Sequence, residues 1–308
     1  MIDPKRFDVV VVGELNPDLI LSGNVVPEFG QIEKLVDYAT LTIGSSSAIF
    51  ACGAARLGLR VAFIGKIGKD EFGYFMRHSL EKFGIDTSGI VEDDELPTGL
   101  SIILSRGTDR AILTFPGTIP CFRYDEIRHD LLAQARHLHL GSYFIQKALQ
   151  IDAPKLLDLA HQYGLSVSLD TNYDPSGRWN EGIDILLQKV DIFLPNEFEC
   201  LSISGKTNLD EAADYLGKEI RVLGVKLGDR GALLRHNSIQ YQEKSITVDV
   251  VDTVGAGDSF DAGFVYGYLA GWDPARILKF ATICGSLSTR KAGGTAAQPT
   301  LEEALGLL

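Results

Sequence analysis

The sequence predicts an α/β fold in which a central, mostly parallel sheet is covered by helices on both faces. Short, continuously apolar strand-like runs alternate with helix-like segments along most of the 308 residues. That is the pattern of strands buried on two sides. Glycines cluster where those runs end. Two stretches, about 19–43 and 97–118, break the alternation and read as antiparallel strands standing off the main sheet. With no internal repeat, charge block or low-complexity linker, residues 1–308 read as one domain.

In order, FDVVVVG (7–13) is a β-rich run stopped by glycine, and AIFACGAARLG (48–58) has helical composition with Gly58 as its C-terminal stop. RVAFIGKIG (60–68) is a strand and EFGYFMRHSLEKFG (71–84) a helix. LSIILS and RAILTF flank RGTD (106–109) as a hairpin, either an ordinary edge hairpin or a lid over a site. RHLHLGS (136–142), LSVSLDTN (165–172), DIFLPN (191–196) and IRVLGVKLG (220–228) are strands, with helices at 153–164 and 209–219. Val248 to Val251 read as a strand leading into an apolar helix that starts near Ala256.

The chain carries 29 basic and 41 acidic residues, a net charge of −12, which argues against non-specific nucleic-acid binding. No run reaches the roughly 18 apolar residues of a membrane span, and no signal peptide is recognisable. Four scattered cysteines, without a CxxC pair, read as reduced core residues. His137 and His139 share a strand face but lack further metal ligands. These features together predict a cytoplasmic protein.

Two phosphate motifs fail. SGKT (204–207) lacks the Walker A glycine, because position 200 is Cys200, and it reads as a helix-ending turn. GxGxxG fails at Phe260, which disfavours a nicotinamide dehydrogenase. DTVGAGDSF (252–260) is different. Phe260, Phe264 and Tyr268 mark one face of a buried helix, and its N-terminus exposes unpaired N–H groups with partial positive charge. Without side chains at Gly255 and Gly257, an oxyanion can approach that backbone closely. Asp258 either complements the helix dipole or accepts a proton from an attacking hydroxyl. Asp261 reads as a dipole-complementing residue.

On these residues the chain resembles the ribokinase-like, or PfkB, carbohydrate kinase family. VVGELNPDLIL resembles the family's first strand and sugar-binding Asn-x-Asp. GKIGKDEFG, FGIDTSGI with PTGLSIIL, LDTNYDPSGRW, LPNEFE and VKLGDRGA follow in the family's order. The resemblance covers nearly the whole chain. It implies the ribokinase-like fold with a small β-sheet lid (about 15–43 and 97–118), and ATP-dependent, Mg2+-assisted phosphorylation of a hydroxyl on a sugar-like substrate. It implies Asp258 as general base, with the amides of Gly255, Ala256 and Gly257 as anion hole. Asn16, Asp18, Gly44 and Ser45 would meet the substrate. Asn196, Glu199, Lys226 and Gly228 would meet the nucleotide, Glu199 acting on Mg2+ through water. The resemblance allows a monovalent cation, K+, near Asp252 and a homodimer formed through the lid. Taken singly, Asp18 is also a turn residue, Asn196 with Glu199 a capped helix start, and Lys226 a solvated strand end.

One segment departs from the family. TIGSSSAIFACGAARLG has Ser45 at the second glycine and Ile49 at the sugar-contacting asparagine. Either Ser45, Ser46 or Ser47 replaces that amide, or the substrate lacks the hydroxyl. Alternatives are a nucleoside kinase, a phosphorylated sugar met by Arg106 or Arg110 (otherwise solvated turn residues), and a non-catalytic ligand-binding or regulatory relative. Thr282 and Cys284 receive no role.

Overall fold

The computed structural model describes residues 5–106, 109–237 and 239–308. Nine strands form the main sheet in the order β13-β12-β11-β10-β9-β8-β1-β4-β5. They are β1 (Phe7–Val12), β4 (Val61–Gly68), β5 (Asp86–Asp93), β8 (Ala135–Leu140), β9 (Ser166–Leu169), β10 (Ile192–Phe193), β11 (Val222–Lys226), β12 (Ala232–His236) and β13 (Ile239–Glu243). The pairings from β5 across to β11 are parallel, and β12 and β13 close one edge antiparallel. All six residues of β1 are buried. Val10 and Val12 join one core, with the helix Lys147–Gln162, while Val9 and Val11 join another, with Ser46–Arg56, Ala256–Leu269 and Pro274–Ser288. Both faces are therefore covered, as the continuous apolar runs required.

A separate four-stranded sheet has the order β3-β2-β6-β7, from β2 (Pro17–Ser22), β3 (Tyr38–Ile43), β6 (Leu100–Arg106) and β7 (Asp109–Phe115). It joins the two stretches that broke the alternation. Its outer pairs are antiparallel, but β2 and β6 run parallel at the centre, so the sheet is mixed. The strands come from distant parts of the chain and need no hairpin between them. Of the RGTD turn, Gly107 and Thr108 lie outside the described residues.

Other departures have local causes. The helix expected at 153–164 begins at Lys147 and carries Pro154 within it. β10 pairs over two residues only, because Pro195 has no N–H to extend its ladder. Val248 to Val251 form no strand. Val250 and Val251 are exposed, and Val251 and Asp252 donate their N–H groups to the Thr289 carbonyl instead. SGKT is a helix end, with Gly205 left-handed after Glu197–Ser204. The four cysteines are free, and Cys52, Cys200 and Cys284 are buried. Among the described residues, no helix is long and apolar enough to cross a membrane.

Candidate active site

The C-terminal ends of the parallel strands, where an open α/β sheet places its ligands, open into a cavity of about 1400 Å³ roofed on one side by the small sheet. That exceeds the ~300–1,000 Å³ typical of a single small-molecule site, so two ligands fit together.

The floor of the cavity is the start of the helix Ala256–Leu269. Gly255 caps it with φ +73°, and a Cβ there would lie 2.6 Å from the Gly294 Cα, so the site requires glycine on both counts. A Cβ at Gly257 would face the Lys226 ammonium at 3.5 Å. Gly255, Ala256, Gly257 and Asp258 all line the cavity. Asp258 is half-buried, and burial together with the nearby Asp170 charge pushes its carboxyl well above the usual carboxylate range.

Lys226, at the end of β11, is neither solvated nor free. Its Nζ donates to Asp170 Oδ2 at 2.8 Å and to both Asp261 oxygens at 3.0 and 3.2 Å. Burial alone would raise Asp170, but the Lys226 charge and hydrogen bonds hold it at about 2. Burial pushes Asp261 well up, and Lys226 offsets only part of that rise. Asp261 is thus not the dipole-complementing residue expected of it. It lies one turn inside a nearly apolar helix, fully buried against a cation. A carboxylate in such a helix requires a partner, which was the available signal for this triad.

Asn196 caps the helix Glu197–Ser204. Its Oδ1 accepts from the Glu199 N–H at 2.9 Å, Glu199 Oε2 accepts from the Asn196 N–H at 2.9 Å, and Asn196 Nδ2 donates to Glu199 Oε1 at 2.7 Å. The capped-helix reading therefore holds, yet both residues also line the cavity. Burial and the Asp170 charge raise Glu199 to about 7. Gly228 borders the same end with φ +64°. Asp252 accepts from the Val254 N–H at 3.0 Å and the Gly293 N–H at 2.9 Å, bracing the loop before the helix.

At the other end, Asn16 and Asp18 are buried beneath the small sheet. Asn16 Nδ2 donates to Ser101 Oγ at 3.1 Å and lies 3.4 Å from Asp18 Oδ1. Burial, then the charge of Glu14, raises Asp18 to about 7. A Cβ at Gly44 would stand 2.1 Å from Asp18 Oδ1, so glycine there makes room for the carboxylate rather than touching a ligand itself. Ser45 is consumed locally. It caps Ser46–Arg56 by accepting from the Ala48 N–H at 2.9 Å, and it donates to the Glu14 carbonyl at 2.7 Å. Ser47 donates to the Glu14 carboxylate at 2.5 Å. Of the three serines only Ser46 is half-buried at the cavity, with Oγ accepting from Asn172 Nδ2 at 3.0 Å. Ile49 lines the wall and packs on the backbone of Gly255 and Gly294. Glu14, buried and pushed upward by that burial, was not singled out in the sequence.

The remaining sequence candidates divide. His137 and His139 bond Ser166 and Ser168 at 2.7–2.8 Å and are held neutral, near 3, by burial. Thr282 lines the cavity and donates to the Leu278 carbonyl at 2.8 Å, whereas Cys284 packs against Gly263. Arg110 lines the cavity and Arg106 does not.

A glycine-bounded helix start with an adjoining carboxylate thus faces a large crevice at the strand ends of a doubly covered α/β sheet with a small separate sheet over it. The chain belongs to the pfkB family of carbohydrate kinases, whose model matches residues 6–301. It is 32% identical over 222 residues to an uncharacterized sugar kinase of Archaeoglobus fulgidus, covering 72% of this chain and 88% of that one. It is 29% identical over 283 residues to a probable fructokinase-3 of Arabidopsis thaliana, covering 86% and 82%. A solved structure of an E. coli putative ribokinase II in complex with ATP and Mg2+ superposes with a TM-score of 0.86 at 22% identity, covering 98% of both chains.

Proposed function

We propose that the protein transfers the γ-phosphoryl group of ATP to a hydroxyl of a sugar-like acceptor bound between Asp18 and Asp258. The observation that carries this reading is the Gly255–Gly257 helix start facing the cavity with Asp258 beside it. The acceptor oxygen forms a bond to Pγ, the bond from Pγ to the bridging oxygen breaks, ADP leaves, and the acceptor proton passes to Asp258. The helix-start amides take the charge on the transferring group. Lys226, fixed by Asp170 and Asp261, adds a cation beside Gly257.

Asp170, Asp258 and Asp261 offer oxygens within 4.8 Å of one another, but two of the three carboxylates are bonded to Lys226. Glu199, which lines the cavity and is not bonded to Lys226, is the carboxylate left to act on Mg2+, through water, since Mg2+ retains several waters. When bound, Mg2+ neutralises phosphate charge. The K+ reading places a monovalent cation beside Asp252. The small sheet acts as a lid over the acceptor. Its outer face presents the half-exposed or exposed row Leu41, Leu19, Ile102 and Leu113, which suits a second copy docking there. Tyr173, which lines the cavity and stacks on Phe198 at 6.2 Å, favours a nucleoside base as the second reading.

ADP release measured across a panel of sugars and nucleosides tests the proposal. Turnover on at least one acceptor is expected, and nucleotide binding with no turnover on any would favour a non-catalytic relative. Gly44→Ala should lower acceptor kcat/KM by about 10²-fold, the scale of a 1 Å misplacement, while the KM for ATP stays unchanged. Equal losses toward both substrates would contradict the role given to Gly44.

A further inference from the structure

The inner face of the small sheet is ordered in rows. Directly opposed residues give Thr42, Asp18, Ser101 and Thr114 in the first row, and Thr40, Ile20, Ile103 and Ile112 in the second. Tyr38, Ser22, Ser105 and Arg110 make the third. The sheet thus runs from a hydroxyl-and-carboxylate row, over an apolar row, to a row ending in a cation. Ile20 and Ile103 pack on Val254, so the loop before the catalytic helix meets the sheet at that apolar row.

Arg110 is exposed on β7, yet it turns inward. Its Nη1 donates to Thr253 Oγ1 at 3.0 Å, two residues before Gly255. Among the described residues its guanidinium forms no ion pair, and its side-chain bond is the one to Thr253. Its charge nonetheless reaches Asp18, whose carboxyl it pulls down against the effect of burial. The cavity it borders is lined by Glu14, Asp18, Asp170, Glu199, Asp229 and Asp258, and its other cation, Lys226, is held between Asp170 and Asp261 beside the helix start. In a cavity so rich in carboxyl groups, an anion is met best beside Arg110 or at the helix start.

We infer that Arg110, with the Thr253 hydroxyl, forms a subsite for an anionic substituent on the acceptor, a phosphate or a carboxylate borne on a sugar. The hydroxyls of such an acceptor lie at the Asp18 row, its carbon skeleton on Ile103 and Ile112, and its charged end at Arg110. Along the strand Thr114 and Arg110 are about 13 Å apart, and the arginine side chain spans part of that gap toward Asp18. The remaining distance suits one monosaccharide. A guanidinium accepts either oxyanion through paired N–H donors.

This inference rests on the kinase reading, and paired acceptors test the two separately. The pairs are D-fructose with D-fructose 6-phosphate, D-ribose with D-ribose 1-phosphate, and D-glucose with D-gluconate. Wild-type kcat/KM should favour an anionic member by at least about tenfold. Arg110→Met should reduce the anionic-to-neutral ratio by roughly 10²-fold, the scale of a lost charge-assisted bond, and Arg110→Lys should restore part of it. A wild-type preference for neutral members, or an unchanged ratio in Arg110→Met, would overturn the subsite while leaving the kinase intact. Equal loss on both members, or a raised KM for ATP alone, would instead make Arg110 a lid latch or a nucleotide ligand. If no member is turned over, the kinase reading is decided by the wider panel of sugars and nucleosides. Calorimetric titration of the same pairs then decides the subsite: anion binding lost in Arg110→Met supports it, and no anion binding by the wild type overturns it.

Discussion

Asp258→Asn should lower kcat by roughly 10²–10⁴-fold, the range for loss of a general base, with the fold unchanged. The substitution keeps the shape of the side chain and removes its basicity. Stability should move the opposite way from activity. The folded-state pKa of Asp258 lies well above its unfolded value of 3.8. A group raised in this way contributes its full stability below the unfolded pKa and loses it as pH rises through the folded one. The wild type therefore forfeits stability toward neutral and alkaline pH, where the variant's neutral amide has no charge to bury. Chemical denaturation at pH 5 and pH 8 should show the variant gaining on the wild type as pH rises. The acceptor kcat/KM of the wild type should fall on the acid side as Asp258 takes up its proton before substrate can deliver one. A variant that turns over at the wild-type rate would end the assignment of Asp258 as base. A variant that loses activity only because it melts would show it in the same denaturation curves.

Much of this site was legible in the sequence, and what was missed has a common character. Gly255, Gly257 and Asp258 could be read because backbone approach and helix polarity are local properties. The two stretches that became the small sheet were legible as a break in rhythm. Their central parallel pairing was not, because it joins β2 to β6 across about eighty residues, and no local pattern encodes a partner that distant. The Lys226 triad failed for the same reason: Asp170, Lys226 and Asp261 come from two strand ends and one helix. Ser45 was misleading in another way. It lines the cavity where a ligand contact was sought, but with φ +67° its hydroxyl is committed to capping the helix behind it, while Ser46 lines the cavity beside it. The reading of Val248 to Val251 as a strand rested on β-branched composition alone, and tertiary bonds to Thr289 prevailed over it.

Lys226→Met should destabilise the fold strongly. It leaves Asp170 buried without the charge that holds its carboxyl near 2. Removing one member of a buried ion pair typically destabilises by about 3–5 kcal/mol. Part of that is visible in the titration. Asp170 is depressed from 3.8 to about 2, so its contribution, on the order of 2 kcal/mol, is present above pH 4 and is lost as pH falls toward 2. The gap between wild type and Lys226→Met should accordingly be widest near neutrality and close in acid. Activity should fall as well, by about 10²-fold or more, the scale of one lost donor at a developing oxyanion. Stability and activity can be separated by adding Asp170→Asn, which removes the stranded charge but restores no cation beside Gly257. The double variant should recover most of the lost melting temperature and none of the lost turnover. Recovery of both would make Lys226 a structural residue only, and recovery of neither would mean that the triad does not act through its charge.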